Sequence, residues 1–286
     1  MFQGFVSLES QGASVLKTKF SEAASIVIAD IEQALLNPAR PLIYGISGAQ
    51  GSGKSTIARA SEVRFSQAGL RVAVLSIDDL YFGREERRRI AARTHPLFIT
   101  RGPPGTHDVR RGLSILECLL SKRTVRLPRF SKAMDELSPM SEWTEAGGDL
   151  DLLIFEGWCI GALPENAADL QKPINVLEEY FDANGRWRQA VNTALARPYQ
   201  ELFALIHRLA YLRPPAFEIV KAWRWELERS IAAERRSAEA PGLLDEDEID
   251  FFVQHYERIT RRMMSDLPSR ADITLQLDER RRVIRG

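Results

Sequence analysis

The chain has 286 residues, 44% hydrophobic and 27% charged, an ordinary globular composition long enough for one large domain or two small ones. Its 39 basic and 39 acidic residues cancel, so nothing in the charge calls for nucleic acid or an anionic membrane as an obligatory partner. Cys118 and Cys159 are too few for a metal set, no apolar run approaches bilayer length, and the first residues lack the basic and apolar regions of a secretory signal.

Residues 12–36 carry Leu16, Phe20, Ala24, Val27, Ile28, Ile31 and Leu35 at steps of three and four, the spacing of an amphipathic helix, stopped by Asn37-Pro38. This helix precedes the first strand, so residues 1–40 read as a helical extension packed outside the core. Residues 41–47 are apolar almost throughout, as in a strand buried on both faces of a parallel sheet.

Next comes Gly48-Ala49-Gln50-Gly51-Ser52-Gly53-Lys54-Ser55, followed by Thr56-Ile57-Ala58. The spacing G-x-x-x-x-G-K-S between a strand and a helix is that of a phosphate-binding loop. Glycines let the backbone curl so that successive N–H groups converge on a phosphate, and the following helix adds its unpaired N-terminal donors. Lys54 would reach the outer phosphates, and the Ser55 hydroxyl would ligate Mg²⁺. The pattern therefore implies a bound nucleoside triphosphate.

The helix after the loop is expected to run to about residue 67, stopped by Gly69. Residues 71–77 form a second buried strand ending in Asp78-Asp79-Leu80-Tyr81. Ligands of open α/β sheets bind beyond the carboxyl ends of the strands, so this acidic pair is a candidate for chemistry. Adjacent strand residues point to opposite sides, and Asp78, sharing its side with Ser76, is the preferred base. Residues 84–94 read as a charged helix with a solvated face, the alternative being a cationic rim. Arg101-Gly102-Pro103-Pro104-Gly105-Thr106-His107-Asp108 is a rigid loop with polar ends, either a structural turn or a set of substrate contacts.

Residues 113–120 read as a helix, 124–129 as a short strand and 145–149 as a turn. Leu152-Leu153-Ile154-Phe155-Glu156 is an apolar strand ending in a carboxylate, and Glu156 is the second expected metal ligand. Residues 178–196, 198–207, 217–236 and 249–264 are helical candidates; 208–212 and 271–278 are strands. The break at 237–248, flanked by Arg229, Arg235 and Arg236, is the candidate for a lid that closes over phosphates, within a helical region spanning about 216–265. The basic tail Glu279-Arg280-Arg281-Arg282 reads as solvated. The sum is an α/β chain, one domain, with a mostly parallel central sheet, helices on both faces and a helical lid. A thiol-reducing cytoplasm is its expected compartment.

Taken in order, Ile46 to Thr56, Ser76-Ile77-Asp78-Asp79-Leu80-Tyr81, Arg101 to Asp108, Leu127-Pro128-Arg129-Phe130-Ser131-Lys132 and Phe155-Glu156-Gly157-Trp158 resemble the D-glycerate 3-kinases and their relatives among P-loop kinases of small metabolites. The resemblance implies a Mg-ATP-dependent kinase acting on a metabolite hydroxyl, with Asp78 as base and Lys54 and Gly48 to Thr56 on the donor. It implies acceptor contacts from Tyr81, Arg101, His107, Asp108 and Lys132. Phe130-Ser131 stands where the plant pattern has Tyr-Asp, and Lys221-Ala222-Trp223-Arg224 matches a K-W-R element with one extra residue. D-glycerate is the preferred acceptor; the alternatives are a nucleoside, pantothenate or sugar phosphate, or an NTPase with no metabolite acceptor.

Overall fold

A computed structural model of the chain describes residues 20–36, 41–234 and 245–284. With strands numbered along the chain, β1 (Leu42–Gly48), β2 (Val72–Ser76), β7 (Leu152–Gly157), β8 (Arg208–Arg213) and β9 (Ile273–Gln276) form one sheet in the order β2-β7-β1-β8-β9. Every neighbouring pair in it is parallel. The apolar runs alternate between two cores, as the two-residue period of a strand requires. Ile43, Leu75, Leu153, Phe155 and Tyr211 face one core. Leu42, Tyr44, Ile46, Leu152, Ile154, Ala210 and Leu212 face the other. Helices therefore cover both faces, as a parallel sheet demands.

α1 (Ser21–Ala34) and α2 (Lys54–Gln67) close the second core. α1 is bound to the sheet by polar contacts as well: Asp30 accepts from Tyr44 Oη at 2.7 Å and from Arg208 at 2.6 and 2.7 Å. The part of the expected N-terminal helix before residue 20, and its stop at Asn37-Pro38, lie outside the described residues. On the other face lie α4 (Val109–Leu120), α5 (Val176–Phe181), α6 (Arg186–Ala194) and α7 (Gln200–Phe203). α3 (Arg84–Arg93) follows β2, and two antiparallel ribbons, β3 (Val125–Leu127) with β6 (Thr144–Ala146) and β4 (Phe130–Ser131) with β5 (Glu136–Leu137), lead into β7. α8 (Glu218–Glu234) and α9 (Glu246–Asp266) precede β9.

Several boundaries differ from the sequence expectation for local reasons. The helix expected over 178–196 breaks because Asp182 turns its carboxylate onto the Trp187 and Arg188 amides, at 2.7 and 3.1 Å, and Gly185 takes a φ of 72°. Pro198 cannot donate to a helical ladder, and the chain widens into a π-helical turn over Leu195–Tyr199 before α7. The turn expected at 145–149 begins inside β6, whose Ala146 is buried. No helix among the described residues is long and apolar enough to cross a membrane.

Candidate active site

The register of the sheet decides what meets at its carboxyl edge. Ser76 of β2 and Ile46 of β1 both pair with Glu156 of β7. The chain leaves β1 into the glycine loop, leaves β2 into the acidic pair and leaves β7 beside Gly157, all at one level. In the loop, Gly51 and Gly53 have φ of 75° and 97°, a region that side chains with a Cβ avoid. A Cβ on Gly53 would lie 2.2 Å from the Phe20 ring, so the start of α1 backs the loop. Lys54 and Ser55 begin α2, with Thr56 exposed behind them.

Ser55 Oγ donates to Glu156 Oε1 at 2.9 Å across the gap between loop and sheet. Glu156 Oε2, Ser52 Oγ and Gln50 Oε1 are buried around the loop without a formed hydrogen bond. Burial pushes the Glu156 carboxyl up and the Lys54 ammonium down, each towards its neutral form, while each one's charge counters the shift of the other. A hydroxyl beside an unsatisfied carboxylate is a hard-oxygen donor set of the kind that suits Mg²⁺, so Ser55 and Glu156 fit the metal role expected of them.

The acidic pair divides its labour differently from the expected reason. β2 ends at Ser76, and Ile77–Leu80 is a turn of 3₁₀ helix, so strand pleat does not choose between the two carboxylates. Their partners do. Asp79 accepts from the Phe130 amide at 3.1 Å, the Ser76 amide at 3.3 Å and Arg129 Nη1 at 3.0 Å. Burial raises the Asp79 carboxyl even against Arg129, and its contacts bind β4 to the end of β2. Asp78 instead accepts from Tyr81 Oη at 2.8 Å and pairs with Lys132 Nζ at 2.6 Å. Burial opposes its ionisation, but Lys132, Lys54 and Tyr81 outweigh that and hold the carboxyl well below its usual range. The Arg129–Asp79 pairing was invisible in the sequence, where the two lie 50 positions apart.

The 101–108 loop is stitched to this turn. Tyr81 and His107 form an antiparallel bridge, the Phe82 amide donates to Thr106 O at 2.9 Å, and the Asp108 amide to Leu80 O at 2.6 Å. Gly102 has a φ of 126° and packs against the Tyr256 hydroxyl, which donates to Arg101 O at 2.9 Å; Trp158 Nε1 donates to Gly102 O at 3.2 Å. The Trp158 of the Glu156-Gly157-Trp158 element thus braces this loop. Asp108, expected at the acceptor, is occupied as the N-cap of α4, accepting from the Arg111 amide at 3.1 Å and pairing with its guanidinium at 3.2 Å. Arg101 Nη1 pairs with Asp135 Oδ1 at 2.6 Å. Arg87 pairs with Asp135 Oδ2 at 2.5 Å and is 1% exposed, so α3, expected to be a charged helix with a solvated face, turns one of its arginines inwards.

His107 is buried, stacked on Tyr81 with ring centroids 4.6 Å apart. The Gly105 amide donates to Tyr199 Oη at 3.0 Å, and that hydroxyl, kept protonated by burial, lies 2.6 Å from His107 Nδ1. Burial lowers His107 and so favours its neutral ring, whose Nε2 is buried with no formed partner. Phe130 meets Tyr81 edge-on at 5.3 Å. Tyr81, His107, Arg101, Lys132 and Asp78 thus form one polar wall beside the loop.

Of the expected lid arginines, Arg235 and Arg236 lie outside the described residues. Arg229 is exposed on α8, its guanidinium 5.0 Å from the Trp225 ring. In the Lys221-to-Trp225 element, Trp223 is buried, Arg224 pairs with Glu228 and Lys221 pairs with Asp250 at 3.1 Å. The tail is exposed at Glu279, Arg280 and Arg282 as expected, but Arg281 is buried against the phosphate loop.

No protein-family model matches the chain. It is 33% identical over 227 residues to the uncharacterised kinase mug58 of Schizosaccharomyces pombe, covering 76% of this chain and 79% of that protein. It is 27% identical over 270 residues to the chloroplastic D-glycerate 3-kinase of Arabidopsis thaliana, covering 85% of this chain and spanning 54% of that longer protein. Its fold is that of the D-glycerate 3-kinase of Cryptococcus neoformans, with a TM-score of 0.67 at 21% identity and 98% coverage of both chains, and of the YGR205w protein, with a TM-score of 0.69 at 22% identity, covering 95% of this chain and 96% of that one.

Burial lowers His107 and His255, a residue of α9, from 6.5 to about 4. Between those values the unfolded chain takes up protons that the folded chain refuses, so stability rises with pH across the window and is lost as pH falls through it. The expected slope is about 1.4 kcal/mol per pH unit and per histidine. Urea unfolding from pH 7 to 4.5 measures it, and His255→Gln should flatten the slope; an unchanged slope in that variant contradicts the burial effect.

Proposed function

The chain belongs to the D-glycerate 3-kinase-like family of P-loop kinases, and we propose that it transfers the γ-phosphate of ATP to a hydroxyl of a small hydroxy acid, D-glycerate, giving 3-phosphoglycerate. The observation that carries this reading is Asp78: an ionised carboxylate held by Lys132 and Tyr81, standing between the phosphate loop and the Arg101–His107 wall. A hydrolase of triphosphates has no need of such a wall.

In the proposed reaction the acceptor oxygen forms a bond to the γ-phosphorus, the bond from that phosphorus to the ADP oxygen breaks, and the hydroxyl proton passes to Asp78. The loop amides and Lys54 hold the donor phosphates. Mg²⁺, held by Ser55 and Glu156, would neutralise charge on the phosphate oxygens. In the free protein Lys132 keeps Asp78 a weak base. Phosphate oxygens drawing on Lys132 and Lys54 would relieve that restraint as the donor binds.

The acceptor's carboxylate calls for a planar guanidinium, whose fork matches two oxygens. Arg101 fits: Asp135 engages its Nη1, and its charge is felt at Tyr81 and Lys132. His107 adds a neutral ring whose unpartnered, buried Nε2 is free to meet a polar group of the acceptor.

ADP-release assays with glycerate, pantothenate, uridine and ribulose 5-phosphate as acceptors test the substrate. Glycerate should give turnover, and Arg101→Lys should raise its KM about tenfold with the KM for ATP unchanged. Turnover with another acceptor and none with glycerate would sink the assignment while leaving the kinase reading intact. For the base, Asp78→Asn should retain ATP binding and lose about a hundredfold or more in kcat, whereas Lys54→Ala should abolish turnover. Full activity in Asp78→Asn would transfer the role elsewhere.

A further inference from the structure

The last described turn of the chain returns to the phosphate loop. After β9, Leu277 and Val283 form an antiparallel bridge, and the Ile284 amide donates to Gln276 O at 2.8 Å. Asp278 organises the turn between them, its Oδ1 accepting from the Arg280 and Arg282 amides, both at 2.8 Å, and its Oδ2 from Arg282 Nε at 2.7 Å. Arg281, at the tip, has a φ of 64°, uncommon for a residue with a side chain. That conformation turns its side chain inwards, and the residue is 5% exposed in a stretch that is otherwise charged and open.

Arg281 Nε donates to Gly51 O at 2.6 Å, and its Nη1 donates to Glu226 Oε2 of α8, also at 2.6 Å. The guanidinium lies over the Trp223 ring, 5.1 Å from its centre, and Trp223 Nε1 donates to Glu279 O at 2.8 Å. Trp223 in turn limits Gly51 from the other side: a Cβ there would stand 2.7 Å from Trp223 Cβ and 3.0 Å from Trp223 O. Gly51 is therefore held between the Cβ and main chain of Trp223 and a guanidinium that lies over the ring of that same residue. The Gly51 carbonyl shares its peptide plane with the Ser52 amide, which donates to Ala49 O at 3.2 Å and closes the tightest turn of the loop. Fixing that carbonyl fixes the plane and holds the Ser52 N–H on Ala49 O, the bond that shapes the loop around the phosphate site.

We propose that Arg281 is a positioning residue of the nucleotide cradle: the C-terminal turn clamps the Gly51 carbonyl and, through Trp223 and Glu226, ties the loop to α8. The clamp rests on the reading of Gly48 to Ser55 as the ATP site, and it adds to that reading a part of the chain far from the motif. It works by preorganisation, since amides already aimed at the phosphates need no ordering when ATP arrives. It also couples the cradle to α8 through Glu226.

Titration of the full chain with Mg-ATP, followed calorimetrically, tests the clamp in Arg281→Ala, Arg281→Lys and Asp278→Ala. Arg281→Ala should weaken ATP binding about tenfold and raise the KM for ATP in step, with the KM for the acceptor unmoved. Lysine should not restore it, because an ammonium lacks the fork that serves Gly51 and Glu226 together. Asp278→Ala, which leaves Arg281 in the chain but frees its turn, should shift ATP binding in the same direction by less. A purely structural arginine would lower the melting temperature and leave ATP affinity at the wild-type value; that result overturns the proposal. If Arg281→Ala does not fold, Arg281→Lys and Asp278→Ala decide by the same titration. A wild-type chain that bound no ATP would overturn the nucleotide reading beneath the clamp, an outcome distinct from equal binding by wild type and variants.

Discussion

The shared register of β2, β7 and β1 is the constraint on which the rest depends. Because Ser76 and Ile46 sit opposite the same residue, Glu156, three segments leave the sheet at one level. A shift of β2 along β7 would carry Asp78 away from Lys54 and reverse which side chains face each core. The two hydrophobic cores resist such a slip, since each strand inserts alternate residues into both. Burial of apolar surface thus supplies the accuracy that the polar site uses, and the Ser55–Glu156 hydrogen bond is its visible result.

Around that edge the polar groups fall into two kinds. Asp79, Asp108 and Arg129 have their bonding capacity taken up by neighbouring chain and fasten β4 and α4 to the end of β2, while Arg87 ties Asp135 to α3. Asp78, Lys132 and His107 touch each other's surroundings but retain capacity, as the unpartnered Nε2 of His107 shows. Rigid fastening of the first kind is what holds the second kind in place. Tyr256 and Trp158 extend the fastening to the 101–108 loop, so α9 and the end of β7 both brace it.

What the sequence disclosed follows the same division. The glycine loop, the apolar strands and the carboxylates at their ends are local patterns, set by spacing over a few residues, and the parallel α/β fold followed from them. The motif resemblance led to the kinase family because whole segments, such as Arg101 to Asp108, recur as units. What stayed hidden were pairings between distant residues. Asp79 could not be separated from Asp78 without Arg129 and the Phe130 amide, and the expected strand pleat there gives way to a 3₁₀ turn. Arg281 looked like one solvated arginine among three, since nothing in Glu279-Arg280-Arg281-Arg282 marks the residue whose positive φ turns it inwards. The break at Asp182 was likewise masked, because a helical pattern of apolar residues continues across it.

The central claim is that one carboxylate, Asp78, joins the donor half of the site to the acceptor half. Its most direct test is a single turnover of γ-labelled ATP with glycerate, with the label separated into acid-stable ester and inorganic phosphate. The account predicts ester formation by the wild-type chain and its loss in Asp78→Asn, with ATP still bound. Release of the label as inorganic phosphate at one rate, with or without glycerate and in both proteins, would contradict it.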